Sequence, residues 1–522
     1  MEWKNRLRLR LRDIRLEGWA LRLHFTIHNT KDWGGDCSGP RRTGCCLSGM
    51  RREVEDVVEL MQHIQSRLPI TEAARTSVLS KSWLHAWHTI PILRFRVRSE
   101  QNGNGMKLVD VDHTLIRYLR DNIPIERFEL LIDIENQESA SHAEKMDWSC
   151  DEILSSGENL SKIDVSSPLR HHSVIWMTTT TPTPVINCVS LRELQLDGVC
   201  IGEEALHDIL SSCSRLEKIV LIHSCKGHVP NLGVFTCDLP FLFKAPAPHS
   251  ISLGSSVTEL TLGGYGMVTG NACLKMIESG FPFLESLTLD DMRSWKSESF
   301  HFTCASIKNL TLRDCQRMLT DIQVHAPKLN FFWFGGAALP TLLFPVSSTL
   351  FKQIFSLSLS LPVDVYFFLK MREALALSCK CDIYIITYNY TTTMLPFDNI
   401  DMDDLRTRLL LFPPAMNVQH LWFGTVDDEC LWERSLFFDA FFEICHPKYV
   451  YAKPDSYFRQ NNHFCRLMLR EVLEKNTTPY WPHYLEHVRI RRDRYQKWET
   501  LTNSHTSLLA SSVYMIFNLK WR

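Results

Sequence analysis

A short phrase, L-x-x-L-x-L, recurs in tandem through the middle of this chain, and no other feature constrains its fold as strongly. It reads Leu191/Leu194/Leu196, Leu216/Ile219/Leu221, Val257/Leu260/Leu262, Leu284/Leu287/Leu289 and Ile307/Leu310/Leu312. Degenerate copies stand at Leu160/Ile163/Val165, Leu329/Phe332/Phe334, Ile354/Leu357/Leu359 and Val418/Leu421/Phe423. The central positions 194, 219, 260, 287, 310, 332 and 357 are separated by 25, 41, 27, 23, 22 and 25 residues. One copy would carry no weight, but five good copies in order do.

The alternating L-x-L puts two apolar side chains on one face of a short strand, and the first Leu covers the turn leading in. Spacings near 20–29 residues are those of leucine-rich repeats, whose strands stack in parallel to bury a continuous core. The expected fold class is therefore α/β: a solenoid of parallel strands with outer helices such as Glu203 to Cys213 and Asn271 to Gly280. A doubly wound α/β domain fits less well, because no Gly-rich phosphate loop follows any strand. The polar stretches Thr178 to Pro184, Gln137 to Lys145 and Thr391 to Asp404 read as loops.

Composition narrows the function classes. The chain has 522 residues, of which 57 are Lys or Arg and 59 Asp or Glu, a net charge of -2. That balance gives no global pull toward nucleic acid or an anionic membrane, and neither partner is expected. The longest apolar stretches, such as Leu508 to Phe517, are about half the ~20 residues of a spanning helix. Seventeen cysteines lie scattered without a single C-x-x-C, so the ligand spacing of a structural zinc site is missing and no metal is expected. Buried reduced thiols in a nuclear or cytoplasmic protein are the expectation. Residues 1–50 form an atypical basic extension. Up to Arg52 there are twelve Lys or Arg against five Asp or Glu, and Arg6, Arg8, Arg10 and Arg12 alternate with leucines. Acidic residues and the late first serine, Ser38, argue against a transit peptide.

From Glu53 the pattern turns helical. Val57, Val58, Leu60, Met61 and Ile64 fit one broad helix face, and Leu68-Pro69 closes it. Thr71 can cap a second helix, and Ser80 a third that carries Trp83, Leu84 and Trp87 before Pro91. Three short helices bury little apolar surface alone, so such a unit leans on a partner or on the next domain.

The run Arg67-Leu68-Pro69-Ile70-Thr71-Glu72-Ala73-Ala74-Arg75-Thr76-Ser77-Val78-Leu79-Ser80-Lys81-Ser82-Trp83, with Ala86-Trp87 and Pro91-Ile92-Leu93-Arg94-Phe95, closely resembles the F-box of plant F-box/leucine-rich-repeat proteins. The segment Asp321-Ile322-Gln323-Val324-His325-Ala326-Pro327-Lys328-Leu329 is similar to that family's repeat form. Phe441 to Lys448 and Tyr480 to Leu485 look like its C-terminal, FBD-like region. The resemblance implies an F-box at 51–98, a repeat array at 99–360 and an FBD-like region with a variable tail at 361–522. It also implies a Skp-type adaptor, and through it a cullin, as partners. Val57, Leu60, Leu68, Pro69 and Val78 are the candidate adaptor contacts, and several of them could equally hold the helices together. Where the family begins with Leu-Pro-Asp, this chain has Glu53-Val54-Glu55-Asp56, and Met61 to Ile64 reads as an insertion.

No constellation of catalysis stands out. There is no P-loop, no G-x-S-x-G and no H-E-x-x-H. Cys445-His446 and His171-His172 lack further ligands or a base. The aromatic run Phe331 to Phe334 resembles a binding platform, though alternation puts half of it in the core. Arg489, Arg491, Arg492, Arg494 and Lys497 read as a solvated helix face. The resulting expectation is a non-catalytic, cofactor-free substrate-recognition subunit of a cullin-RING ubiquitin ligase, holding a target protein on its repeats. The alternative left open is a repeat scaffold whose degenerate F-box no longer engages the ligase. An enzyme is the third reading.

Overall fold

The computed structural model describes residues 57–68, 70–98, 108–133, 146–149, 160–166, 175–178, 190–197, 199–201, 213, 215–223, 256–264, 270–290, 292, 295, 297–315, 319–344, 352–359, 363–387, 400–425, 436–452, 462–474, 481–492, 496–510 and 515–522. The chain divides into two units, residues 1–61 and 62–522. Of the first, residues 57–61 are described, and all are helical. The basic N-terminal extension, the stretch from Glu203 to Ser212 and the pair His171-His172 lie outside the described residues, as do the Gln137 to Lys145 loop and most of Thr178 to Pro184.

In the second unit, a sixteen-stranded sheet begins at Ile92–Arg98 and Arg127–Asp133 and continues in sequence order through Lys162–Ser166, Glu193–Asp197, Lys218–His223, Glu259–Gly264, Ser286–Asp290, Asn309–Cys315, Phe331–Gly336, Lys352–Leu359, Lys380–Thr387, Val418–Thr425 and Tyr449–Ala452. Each of these pairs in parallel with the next. The residue entering a strand donates its N–H to the equivalent carbonyl of the repeat before. Ser161 bonds Glu126, Arg192 bonds Ser161, Glu217 bonds Arg192, Thr258 bonds Glu217, Glu285 bonds Thr258 and Lys308 bonds Glu285, all at 2.7–2.8 Å.

This register turns the recurring leucines into columns. One runs Phe95, Leu130, Val165, Leu196, Leu221, Leu262, Leu289, Leu312, Phe334, Phe355, Ile383, Leu421 and Val450, every member buried. Each rung removes a large side chain from water, worth about 1.5–3 kcal/mol. The second column runs from Leu93 and Phe128 through Leu260, Leu287, Leu310 and Phe332, then meets Gln353 before Cys381 and Val418. The phrase expected at Ile354/Leu357/Leu359 is thus out of register. Phe332 pairs with Gln353, Phe355 points inward, and Ile354 lies on the opposite face.

The outer layer is mixed. Asn271–Gly280 is the expected helix, with Leu274 and Ile277 fully buried. Across the next repeats the layer is a second parallel sheet, Ser299–Thr303, Asp321–His325 and Thr341–Leu343, with Phe300, Phe302, Ile322 and Val324 inward. Repeats of only 22 or 23 residues leave little length for a helix at about 1.5 Å per residue, whereas an extended segment covers ~3.3 Å per residue. A third parallel sheet joins Met146–Ser149, Ile175–Thr178 and Val199–Ile201.

Toward the C-terminus helices return: Val365–Leu375, Met402–Leu409, Phe437–Ile444 and Asn462–Glu474. The loop expected up to Asp404 ends earlier, because the Asp401 carboxylate accepts the N–H groups of Asp403 and Asp404 at 3.0 Å and starts a helix. Phe437, Phe438 and Phe441 pack on Phe368 and Phe423, with Phe423 and Phe438 edge to face at 4.8 Å. Ile516–Trp521 then runs antiparallel between Tyr449–Ala452 and Leu485–Arg491. Arg489 and Arg491 therefore lie on a strand and not on the expected helix, since Val488 and Ile490 alternate inward. Among the described residues no helix is long and apolar enough to cross a membrane.

Two buried polar groups generate predictions. Gln353 is 0% exposed, and neither its Oε1 nor its Nε2 has a hydrogen-bond partner among the described residues. Gln353→Leu continues the apolar column and is expected to stabilise the chain by about 1–3 kcal/mol, read as a raised urea midpoint; an unchanged or lowered midpoint would contradict the register. Burial, followed by the neighbouring Glu471 charge, raises Asp439 from its usual 3.8 to about 6. The folded state then holds a proton that the unfolded state releases between those values, so stability is lost as pH rises through this window. Asp439→Asn should match wild type below about pH 4 and exceed it above pH 6, by on the order of 2–3 kcal/mol, in paired thermal melts.

Candidate functional site

Two surfaces of the second unit carry recognition chemistry. The first is the helical module ahead of the sheet. Ile70–Thr76 is a helix in which Thr71 lies within the first turn and is not the cap. A 3-10 turn, Ser77–Leu79, leads to the helix Lys81–His88, where the Ser80 side chain accepts the Trp83 N–H at 3.2 Å as expected. Gln65 ties the pieces together from a buried position, donating Nε2 to Thr76 Oγ1 at 2.6 Å and to the Trp83 carbonyl at 3.1 Å. The module is fastened to the first strand by Arg94, which donates to the Ser66 carbonyl at 2.9 Å, and to the following helix Leu108–Arg120 by Tyr118, whose hydroxyl donates to the Ile90 carbonyl at 3.0 Å.

The candidate adaptor residues divide on this scaffold. Val78 is 82% exposed, and Leu79 and Leu84 beside it in sequence are exposed too. These are large apolar side chains that the module's own packing leaves in water. Leu68 is half-buried and lines a cleft of about 320 Å³ together with Ala73, Trp87 and Leu93. Val57 and Leu60 are helical and half-buried in residues 57–61, and Pro69 lies outside the described residues. Leu79 and Leu84, exposed here, were not among the candidate contacts named from the sequence.

The second surface is the face of the sheet opposite the core columns. Its first half neutralises itself. Lys162 lies 3.3 Å from Asp164 and 3.5 Å from Glu193, and Lys218 pairs with Glu259 at 3.1 Å, while at the strand entrances Lys308 pairs with Glu285 at 2.6 Å. A row of threonines follows, Thr261, Thr288 and Thr311. Beyond it the face turns aromatic. Trp333 lies over Gly335, where an added Cβ would stand 2.8 Å from the indole, and the Arg313 guanidinium sits 5.3 Å from that ring. Phe332 and Phe334 are buried and Phe331 half-buried, so the Phe331 to Phe334 run splits as alternation requires.

Farther along, Tyr384, Trp422 and Tyr451 stack across three strands at 5.5 and 3.9 Å, each pair within 8° of parallel. His420 stacks on Tyr449 at 5.2 Å and bonds the Tyr451 hydroxyl at 2.7 Å through Nδ1. Trp498 extends this row, 5.9 Å from Tyr449, under the Arg491 guanidinium at 4.7 Å. Burial, and then Lys352, Lys380 and Lys448 against an opposing Asp382, lower the proton affinity of His420. Asp382 is buried and bonded to Lys352 at 2.8 Å.

At Cys445-His446 burial holds both side chains uncharged. Burial pushes the Cys445 thiol well up, and its Sγ donates to the Phe441 carbonyl. His446 is lowered to about 4 by burial, with its ring flat against Trp521 at 3.9 Å. The thiols of Cys315 and Cys381 are raised by burial as well, and that of Cys465 is pushed up to about 12. Thiols held protonated in this way make poor nucleophiles and ligands. Among the described residues no three His, Cys, Asp or Glu converge as a metal-holding group.

No protein-family model matches the chain. Among curated proteins it is similar to a putative F-box/LRR-repeat protein of Arabidopsis thaliana, 25% identical over 198 residues, covering 34% of this chain and 40% of the relative. An F-box/FBD/LRR-repeat protein of the same plant is 26% identical over 243 residues, covering 41% and 51%. An F-box protein, also from Arabidopsis thaliana, is 24% identical over 164 residues, covering 31% and 53%. The matched stretch thus spans about two fifths to one half of these relatives' length. A parallel sheet built by repeats, with an F-box-like phrase ahead of it, sits with these relatives: the chain's curated homologues are F-box/LRR-repeat and F-box/FBD/LRR-repeat proteins.

Proposed function

We propose that this chain is the substrate-recognition subunit of an SCF-type cullin-RING ubiquitin ligase. The helical module is an F-box that docks on a Skp-type adaptor, and the repeat sheet holds a target protein. In this role the chain supplies no reacting group. It raises the effective concentration of the target beside the ubiquitin-loading machinery. A nuclear or cytoplasmic location accompanies the assignment, as does the division into an F-box at 51–98, repeats at 99–360 and an FBD-like region beyond.

The observation that carries the reading is the exposed apolar set Val78, Leu79 and Leu84 on a module preceding a repeat sheet, together with the F-box/LRR-repeat names of the relatives. An apolar set on packed helices is a surface for helix-against-helix docking. The second reading, a repeat scaffold detached from the ligase, is favoured by Glu53-Val54-Glu55-Asp56 in place of Leu-Pro-Asp.

Pull-down of purified Skp-type adaptor by the full-length chain separates the two. Val78→Asp should weaken capture by about tenfold or more, the scale of losing an apolar anchor, while leaving the thermal midpoint unchanged. Leu68→Asp should instead lower the midpoint, because it places a charge in the cleft. No capture of adaptor by the intact chain would favour the scaffold.

A further inference from the structure

The two halves of the sheet's solvent face differ in what their charges do. Lys162 and Lys218 each face a carboxylate of a neighbouring strand, and Lys308 pairs with Glu285 at the strand entrances. Lys380 and Lys448 are exposed, and among the described residues neither has an ion-pair partner. Lys448 instead lies 5.4 Å from the Tyr449 ring. Arg489 continues the row of Tyr449 through Asn518 and is exposed as well. Of the acids in this stretch, buried Asp382 is bonded to Lys352, while Glu499 is exposed and lies 3.7 Å from His505. Lys380 and Lys448 are therefore cations without an ion-pair partner among the described residues, near the row of aromatic rings.

Ring orientation sharpens the chemistry. Tyr384, Trp422 and Tyr451 are stacked face to face, so their negative π-faces are turned to one another. Tyr451 is buried and Tyr384 and Trp422 are half-buried in that stack, and the edges of such rings carry the positive end of the quadrupole. Edges and ammonium groups both complement carboxylates. A single-stranded nucleic acid, by contrast, needs free ring faces on which its bases can stack.

We propose that the aromatic strip from Tyr384 to Tyr451, with Lys380 and Lys448 beside it, binds an acidic peptide segment in extended form. That this peptide belongs to the ligase's target rests on the receptor reading above; the acidity of the occupant rests on the surface alone. Neighbouring strands lie about 4.8 Å apart, so a peptide laid across three of them meets a new ring every one to two residues.

The test presents a randomised peptide library to the full-length chain and reads the composition of the captured peptides. Asp and Glu should be enriched about threefold over Lys and Arg, and the enrichment should shrink in high salt. The double variant Lys380→Glu/Lys448→Glu changes two exposed side chains, and circular dichroism should show its fold intact. It should abolish or invert the bias, while Lys328→Glu, in the turn after the outer strand Asp321–His325, leaves it unchanged. Equal composition in wild type and double variant would overturn the proposal, as would displacement of the peptides by oligo-dT. The two readings fail separately. Val78→Asp should lose the adaptor and keep the acidic bias, and an intact chain that captures acidic peptides but no adaptor would sink the ligase reading alone.

Discussion

The in-register hydrogen bond between one repeat and the next governs this molecule. Each carbonyl at a strand entrance receives the N–H from the equivalent residue of the following repeat, from Glu126 through Lys308, with little change in length. That constraint fixes register, and in a sheet a slip of one residue would turn every inward side chain to solvent. With register fixed, leucines that are distant in sequence become neighbours in a column. Insertions in a repeat are then accommodated outside the sheet: the 41 residues between Ile219 and Leu260 leave the two paired as directly as the 22 between Leu310 and Phe332.

Burial of the columns and exposure of the opposite face are two results of the same geometry. Every second residue of a strand serves the core, and the ones between pack mainly on one another, with Val220, Thr311, Asp382 and Tyr451 buried among them. In the first half of the sheet those residues settle into alternating ion pairs, each worth little at an exposed site. In the second half they become aromatic, and stacking between strands replaces charge pairing. The change coincides with a change in the layer behind. Where the outer layer is strand, the solvent face carries threonines and Trp333; where helices return, from Val365 onward, it carries the stacked rings.

The five good repeats were legible because each puts its leucines inward without exception. Legibility failed where side-chain type and position part company. At Gln353 the column holds an amide while the apolar Ile354 lies outside, so hydrophobicity alone chose the wrong frame. The outer strands Ser299–Thr303 and Asp321–His325 carry a period-two pattern that could have been read, and the expectation of helices overrode it. The stacked rings were invisible for a different reason. Tyr384, Trp422 and Tyr451 stand 38 and 29 residues apart, and only strand pairing brings them together. Val78 was named from a phrase that resembled a known one, and its exposure, like the place of Leu68 in a cleft, became visible only in the structure.

Because the solvent-facing rungs are uncoupled from the columns behind them, the two can change at different rates. Replacing one outward residue rewrites a single step of the surface and leaves the neighbouring core untouched, as the passage from Lys–Glu pairs to threonines to rings illustrates along one sheet. A gene lineage that duplicates such a chain can therefore search new recognition surfaces one rung at a time, with the folded state as a fixed background.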